Sequence, residues 1–434
     1  MNNFIDFFSF SDPNVRYVTF GAILLGASSA IVGCFTFLQK RALIGDAVAH
    51  AVLPGVCLAF ILGGSKNPFL LVSGAFITGW ISLLVLDFIV SRSKIKEDTA
   101  IGLVLSVFFG IGILLLTSIQ HSGSAEQSGL DNFLFGKAAS MVGMDLIVIT
   151  IIGTVLITTV VLLFKEFTML SFDADYAQAI GFPVRALQFT LTTLTVLAVV
   201  IGIQAVGIVL MAAMLITPAA AARFWTDKLT LMLLLAATFG AFSGLSGSFI
   251  SYVSPAMPTG PWIVMVVSFI AIGSFFLAPN KGIIFRAFRQ KKNQQQVIEE
   301  NILKLFFKIG LEKESFFQEV STDYLLQKER VKHDHLIKGL NRLLSQGYLK
   351  KNRKLWMLTT AGKNKGQRIL KLHRLWEQYL SEYLRIAPDH VHEDAETIEH
   401  IITPEIEALL EQSLNYPKED PHSSQIPYRE RWEL

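Results

Sequence analysis

Long apolar runs separated by short polar breaks dominate the first two thirds of the chain. Each run is about as long as a helix needs to cross a bilayer core, which takes roughly 20 apolar residues. Nine such runs cover about residues 17–38, 47–63, 68–91, 100–118, 142–164, 187–203, 205–222, 229–252 and 260–278. The pattern predicts an all-α polytopic membrane domain of about nine transmembrane helices over residues 1–282.

Charged side chains become frequent only near residue 281. Residues 1–280 hold 25 Asp, Glu, Lys and Arg side chains, whereas residues 281–434 hold 48. Residues 283–297 are basic and then rich in Gln, which is typical of a linker beside anionic lipid headgroups. A soluble part follows, for which we predict a winged-helix domain, a second helical region and a flexible tail over 298–360, 361–415 and 416–434.

Overall composition agrees with a membrane protein and argues against Cys-based structural sites. The chain is 52% hydrophobic and 17% charged, against about 25% charged in an average soluble protein. Both of its cysteines, Cys34 and Cys57, lie in apolar runs, which argues against a disulfide framework and a Cys-rich zinc site.

The breaks between the apolar runs differ in charge. Lys40-Arg41 and 92–96 are basic, whereas 120–132 and 253–260 lack Lys and Arg. Cytoplasmic loops of membrane proteins carry an excess of Lys and Arg. We therefore expect the N-terminus outside and the soluble part in the cytoplasm.

An acid and an imidazole interrupt the second apolar run. Asp46 and His50 are four residues apart, so a helix presents both on one face. Ionisable groups at membrane depth are costly and usually face a cavity or a partner. Together they suit a divalent cation such as manganese, iron or zinc. The alternative is an interfacial pair that only caps or orients the helix.

Several ordered motifs resemble the permease subunits of metal-ion ABC importers, the manganese/zinc/iron-chelate family, over about residues 15–282. The motifs are RALIGDAVAHAVLPG at 41–55, EDTAIGLVLS at 97–106, FDADYAQAIGFPV at 172–184, QAVGIVL at 204–210 and ITPAAAAR at 216–223. The resemblance implies a bacterial inner or plasma membrane protein with a second permease subunit, an extracellular metal-binding protein and Asp46 and His50 on the metal path.

Residues 172–185 lie between two apolar runs and predict a short amphipathic helix with a Gly–Pro stop. The resemblance implies that this segment is the coupling helix that docks on the ATPase, through Asp173, Asp175, Ala179, Gly181 and Pro183. The chain contains no GxxxxGK[ST] phosphate loop. We therefore expect that the chain is a transporter subunit and not an enzyme, and that a separate ATP-binding cassette subunit hydrolyses ATP.

The soluble part predicts three helices, at 298–309, 315–320 and 330–346, followed by a hairpin within 347–362. This order is typical of a winged helix. Basic residues lie on its third helix and on its hairpin turn, at Lys332, His333, His335, Lys338 and 350–354. They suit contacts with a DNA backbone, and a protein-binding module is the equal alternative.

Two clusters of His and carboxylate residues follow the hairpin. His373 and Glu377 are four residues apart, and the second cluster is His392, Glu396, Glu399 and His400. Such sets suit divalent metals, although a solvated charged helix surface is the alternative. The sequence therefore predicts a helical metal-binding region over 361–415, to which the resemblance described next adds dimerisation.

This region resembles the DtxR/MntR-type metal-dependent repressors over about residues 296–412. The resemblance places His373, Glu396, Glu399 and His400 at ligand positions and Glu377 and His392 at a second site. It also places Asn301 and Lys304 at the ligand positions of the first helix. Asn is a weak ligand and a charged Lys cannot ligate a metal, so the resemblance predicts a site that departs from the family.

The sequence thus predicts the permease subunit of an importer for manganese, iron or zinc, with a fused cytoplasmic metal-sensing domain. The alternative is a membrane-tethered, metal-responsive DNA-binding transcription regulator. Ligand types alone do not choose among the three metals or between a homodimer and a heterodimer.

Overall fold

Long apolar helices form the first part of the chain, as the hydrophobic pattern predicts. The structure is a computed structural model that describes residues 2–41, 43–63, 68–121, 141–254, 257–279, 281–328, 332–386, 398–400 and 402–428. The chain divides into a membrane unit, Met1–Arg286, and a C-terminal unit, Ala287–Leu434. Each unit is described by itself.

Twelve helices of the membrane unit lie within the described residues. They are α1 (Asn2–Ser9), α2 (Pro13–Leu38), α3 (Ile44–Gly63), α4 (Pro68–Arg92), α5 (Glu97–His121), α6 (Gly143–Leu162), α7 (Phe164–Phe172), α8 (Ala174–Ala179), α9 (Val184–Val206), α10 (Ile208–Trp225), α11 (Leu229–Val253) and α12 (Thr259–Leu277). Eight of the helices in this described part are long and apolar enough to cross a bilayer. The shorter helix α10 takes the place of the seventh predicted run, at 205–222.

The boundary between α9 and α10 is a single glycine. Gly207 has φ 92°, a conformation that side chains with a Cβ rarely adopt. The chain changes direction there, because Met211 of α10 packs directly against Gly202 of α9. The apolar run continues through this turn without a polar break, so hydrophobicity alone does not mark it.

Glycines bring the helices of the membrane unit into backbone contact. A Cβ built on Gly26 of α2 would lie 2.3 Å from the carbonyl oxygen of Gly240 in α11. The same holds between α3 and α4, where a Cβ on Gly55 would lie 2.1 Å from the carbonyl oxygen of Gly74. Small residues allow this close approach, which increases dispersion contacts in a membrane where lipid is as apolar as the side chains.

The C-terminal unit contains five helices and three strands within its described residues. They are α13 (Ile283–Glu312), β1 (Val320–Ser321), α14 (Thr322–Lys328), α15 (His333–Ser345), β2 (Leu349–Asn352), β3 (Leu355–Leu358), α16 (Thr360–Tyr383) and α17 (Pro404–Ser413). The strands form an antiparallel sheet in the order β1-β3-β2, with Val320 opposite Trp356 and Leu349 opposite Leu358. This is the predicted winged helix.

One helix of the winged helix differs from the prediction. Residues 315–320 were expected to be helical, but Val320 and Ser321 form β1, and the second helix is α14, Thr322–Lys328. The apolar residues of a short segment fit either period, and pairing with β3 decides for a strand. Leu325 of α14 is buried in one core with Leu303, Leu340 and Trp356.

Part of the segment 416–434, which was expected to be a flexible tail, is packed in the structure, and residues 429–434 lie outside the described residues. Residues 416–428 pack against α16, and Ile426 is buried in a cluster with Leu375 and Leu414. The side-chain amide of Gln367 donates to the carbonyl oxygen of Pro427 at 3.4 Å. Ile426 and these polar contacts, together with the ion pair of Arg374 and Asp420, hold the segment on α16, although its polar composition predicted a flexible tail.

Gly55→Val is expected to destabilise the membrane unit, because the new side chain would collide with the backbone of α4. Overpacking of this kind costs about 1–3 kcal/mol or more. Gly273→Val in α12 is the matched control, since a Cβ there meets nothing within 4 Å among the described residues. The thermal midpoint of the purified protein in detergent measures both. Equal midpoints would contradict the close contact between α3 and α4.

Candidate metal centres

The predicted pair of the membrane unit lies at the beginning of α3. His50 Nε2 is 3.6 Å from Asp46 Oδ1, which is an ion-pair distance but longer than a normal hydrogen bond. The two side chains are 19% and 37% exposed. The helical spacing therefore brings the acid and the imidazole to one side of the helix, as predicted, and leaves both of them partly open.

The other side of the His50 ring faces protein. The ring packs edge-on against Phe109 of α5, with the centroids 4.9 Å apart. Its Nδ1 atom is buried and has no hydrogen-bond partner among the described residues. An unsatisfied buried nitrogen is costly, and the described residues supply no partner for this one. The pair has the donor types and an unused nitrogen that suit a borderline divalent cation.

Arg41 fixes the chain just before this pair. Its Nε is 2.9 Å from Glu97 Oε1 at the start of α5, and its Nη2 is 3.5 Å from Asp87 Oδ1 in α4. The guanidinium therefore ties the entry of α3 to both neighbouring helices.

Residues 172–185 fold as the sequence predicts for a short helix. Asp173 caps α8, because its carboxylate accepts a hydrogen bond from the Tyr176 backbone N–H at 2.9 Å. Gly181 has φ 93° and ends the helix, and Pro183 precedes α9. Ala177 is buried and anchors α8, while the side chains of Phe172, Tyr176 and Ile180 are exposed. The segment therefore exposes these apolar side chains together with the acidic residues Asp173 and Asp175 and with Ala179.

Four of the predicted ligands of the C-terminal unit come together. His373 Nδ1 hydrogen-bonds Glu399 Oε2, and His373 Nε2 is 3.2 Å from Glu377 Oε1. His400 Nε2 is 3.4 Å from Glu399 Oε1. His392 and Glu396 lie outside the described residues. The gathered side chains are almost fully buried, so a solvated helix surface is excluded for them.

Glu300 is a member of this cluster that the sequence analysis missed. Its Oε2 is 2.7 Å from His400 Nδ1. The first helix was expected to contribute Asn301, but Asn301 Oδ1 is buried with no hydrogen-bond partner in the part of the chain that is described. A shift of one residue rotates a side chain by about 100° around a helix. The sequence shows that a carboxylate, Glu300, precedes Asn301, but spacing along the helix does not decide which of these two residues faces His400.

Lys304 places a cation in the cluster. Its Nζ is 2.6 Å from Glu399 Oε1, and the lysine side chain is only 4% exposed. Burial alone would raise the pKa of Glu399, but the hydrogen bond from His373 and the charge of Lys304 outweigh it, and the pKa is lowered. Burial alone would lower the pKa of His373, but its hydrogen bonds to Glu377 and Glu399 outweigh that effect and raise it.

The residue types of this cluster fit a divalent ion, because imidazole and carboxylate are the ligands of manganese, iron and zinc. Among the described residues, however, no group of three His, Cys, Asp or Glu side chains converges as an ion would require. The side chains pair with one another and with Lys304 instead, and the buried Nε2 of His400 has no hydrogen-bond partner among the described residues. Glu300, His373, Glu377, Glu399 and His400 are the described residues that would hold a metal.

The membrane unit matches a known family. The sequence pattern of the ABC 3 transport family covers residues 11–278. The chain belongs to the ABC 3 transport family. Residues 359–428 match a second pattern, the metal binding and dimerisation domain of iron dependent repressors. Both resemblances seen in the sequence are confirmed.

Proteins of known name are similar to all or part of the chain. Manganese transport system membrane protein MntC of Bacillus subtilis is 41% identical over 377 residues, which cover 86% of each chain. Zinc transport system membrane protein TroC of Treponema pallidum is 42% identical over 283 residues, 65% of this chain and 95% of the relative. A solved structure, PsaBC from Streptococcus pneumoniae in complex with Fab, has a TM-score of 0.59 at 33% identity. It covers 66% of this chain and 99% of its own.

Helix α17 closes over α16 through a charged contact. Glu407 receives hydrogen bonds from Arg368 at 2.8 Å and ion-pairs with Lys371 at 2.6 Å. Burial opposes the charge of Glu407, but these two cations outweigh it and lower its pKa. A lowered pKa in the folded state means that the stabilisation is complete above the unfolded value and is lost as the pH falls.

We expect the protection of α17 amides from hydrogen exchange to decrease as the pH falls below about 5. Glu407→Gln should lose about 1 kcal/mol of this protection at neutral pH and show a weaker pH dependence. Glu382→Gln, an exposed acid near the end of α16, is the control and should leave α17 unchanged. If Glu407→Gln and the control behave alike, the contact does not hold α17.

Proposed function

We propose that this chain is the permease subunit of an ATP-driven importer of a divalent metal ion, manganese, iron or zinc, and that the ion passes Asp46 and His50. The observation that carries the proposal is a partly open acid–imidazole pair in a permease of this family, with His50 Nδ1 lacking a partner among the described residues. The names of the two relatives, which concern manganese and zinc, support the substrate class.

The chemistry of the pair fits passage of a bare cation. A carboxylate and an imidazole replace water ligands of the ion, so part of its dehydration cost is offset. Two protein ligands bind a cation more weakly than a complete cage does, which allows release. A second permease subunit, identical or related, would bring its own face to the open side of the pair.

Coupling to ATP requires a partner, and residues 172–185 suit it. The exposed apolar side chains of Phe172, Tyr176 and Ile180 form a small surface beside two acids. We infer that a separate ATP-binding cassette subunit docks there and that α8 transmits its motion to α9 through Gly181 and Pro183. An extracellular metal-binding protein would deliver the ion to the opposite side.

The C-terminal unit gives the importer a sensor for its own product. Its match to a metal binding domain and its buried cluster around Glu399 support binding of the imported metal in the cytoplasm. Binding there would change the packing of α13 and α16, which both contribute residues to the cluster. The expected result is feedback on transport or on a partner of this unit.

DNA is a second candidate partner of the C-terminal unit. Lys338 of α15, Lys332 just before this helix and residues 350–354 of the hairpin are all exposed. They lie on the two elements that a winged helix applies to a duplex. This surface favours contact with phosphate groups. Such a role would make the chain a membrane-tethered regulator as well as a permease.

Asp46→Ala with His50→Ala is expected to lower manganese uptake by at least about tenfold, because the ion loses both protein ligands on its path. Uptake of radioactive manganese by proteoliposomes that contain the ATPase subunit measures it. His121→Ala is the matched control, since this imidazole is exposed at the end of α5. Undiminished uptake in the double variant would rule out this path for manganese.

Tyr176→Ala with Ile180→Ala is expected to abolish most of the copurification of the ATPase subunit with the permease, because the exposed apolar surface of α8 is lost. Ile95→Ala removes an exposed apolar side chain from another loop and serves as the control. Retention of the ATPase by the double variant, at the level of the control, would show that the subunit docks elsewhere.

A further inference from the structure

Lys304 is out of place in a centre that is built to hold a cation. It lies on α13 between Leu303 and Leu305, which are both buried, and its ammonium group ends at Glu399. Burying an ammonium ion is costly unless a carboxylate pairs with it. The lysine is therefore held by the same carboxylate that the metal-binding cluster has at its middle.

Glu399 is the residue that links the cluster. One of its oxygens accepts from His373, and the other lies 2.6 Å from Lys304 and 3.4 Å from His400 Nε2. Its side chain is fully buried. A divalent ion bound through Glu399 and the two imidazoles would need the space and the negative charge that Lys304 uses.

We propose that Lys304 is an internal cation that neutralises Glu399 when no metal is bound, so that a divalent ion binds this centre only by displacing it. The proposal rests on the metal-sensing role of the C-terminal unit and adds how its threshold is set. An ammonium ion supplies one positive charge without ligand geometry, whereas a metal ion supplies two and gathers the imidazoles.

Displacement also provides a signal. Lys304 and Glu300 lie on α13, whose apolar face, with Leu303 and Phe306, forms part of the winged-helix core. Glu399 pairs both with Lys304 of α13 and with His373 of α16. Release of the lysine from Glu399 therefore removes one link between these two helices. Metal binding is thereby converted into a change at the first helix of the winged helix.

The test compares manganese binding by the full chain in nanodiscs, with Asp46→Ala and His50→Ala in every variant so that the membrane path contributes no signal. Titration calorimetry and the EPR signal of free manganese measure the affinity. Lys304→Met, which keeps the length of the side chain without its charge, is expected to bind manganese at least about tenfold more tightly than Lys304. Lys304→Arg keeps the cation and should stay weak.

Glu399→Gln added to Lys304→Met should return the manganese affinity to that of the parent, because the tighter binding of Lys304→Met comes from the freed Glu399 carboxylate. Equal affinities of Lys304 and Lys304→Met would overturn the proposal, and so would a lack of binding in both. A failure of transport in the uptake experiment would leave this result unaffected, since no transport is measured here.

Folding of the neutral variant supplies a second measurement. Without its internal cation, Lys304→Met should have a lower thermal midpoint in EDTA than the parent, and manganese should raise its midpoint more than it raises that of the parent. Lys304→Gln is a second neutral variant, and it is purified with manganese present throughout in case the metal-free protein is unstable. Neutral variants that manganese neither binds nor stabilises would refute the competition between lysine and metal.

Discussion

A charge removed from water must meet an opposite charge or a ligand, and this constraint shapes both units of the protein. Lipid and protein interiors solvate ions poorly, so the few ionisable side chains within the bundle are placed beside one another. Arg41 bridges two carboxylates at the entry of α3, and Asp46 faces His50 one turn further on. In the C-terminal unit, Lys304 and Glu399 meet in the same way, 95 residues apart in the chain.

The position of the proposed cation path depends on backbone packing rather than on Asp46 and His50 themselves. Gly55 and Gly74 allow α3 and α4 to touch, and a Cβ on Gly33 of α2 would lie 1.7 Å from the carbonyl oxygen of Leu215 in α10. These contacts hold α3 against α4 and α2 against α10 at close range. The proposed transport site therefore lies on a closely packed helix, which helps its ligands to keep their spacing.

The C-terminal unit combines a winged helix with a buried polar cluster, and the two share α13. Its apolar face is part of the winged-helix core, while Glu300 and Lys304 point to the cluster. A polar network of this kind specifies one arrangement because each member that loses its partner is penalised. The same property makes it sensitive to any ion that changes the pairing.

Local patterns in the sequence determined the elements and the pairs that lie within one helix. The apolar runs, the i,i+4 spacing of Asp46 and His50, the cap at Asp173 and the hairpin of the winged helix all depend on neighbours along the chain. Tertiary structure alone decided the rest: that Glu300 and not Asn301 reaches His400, that Lys304 meets Glu399, and that Ile426 anchors the terminal segment. These contacts depend on how each helix is rotated about its axis and how closely it packs against its neighbours. The spacing of residues along the chain carries no information about either.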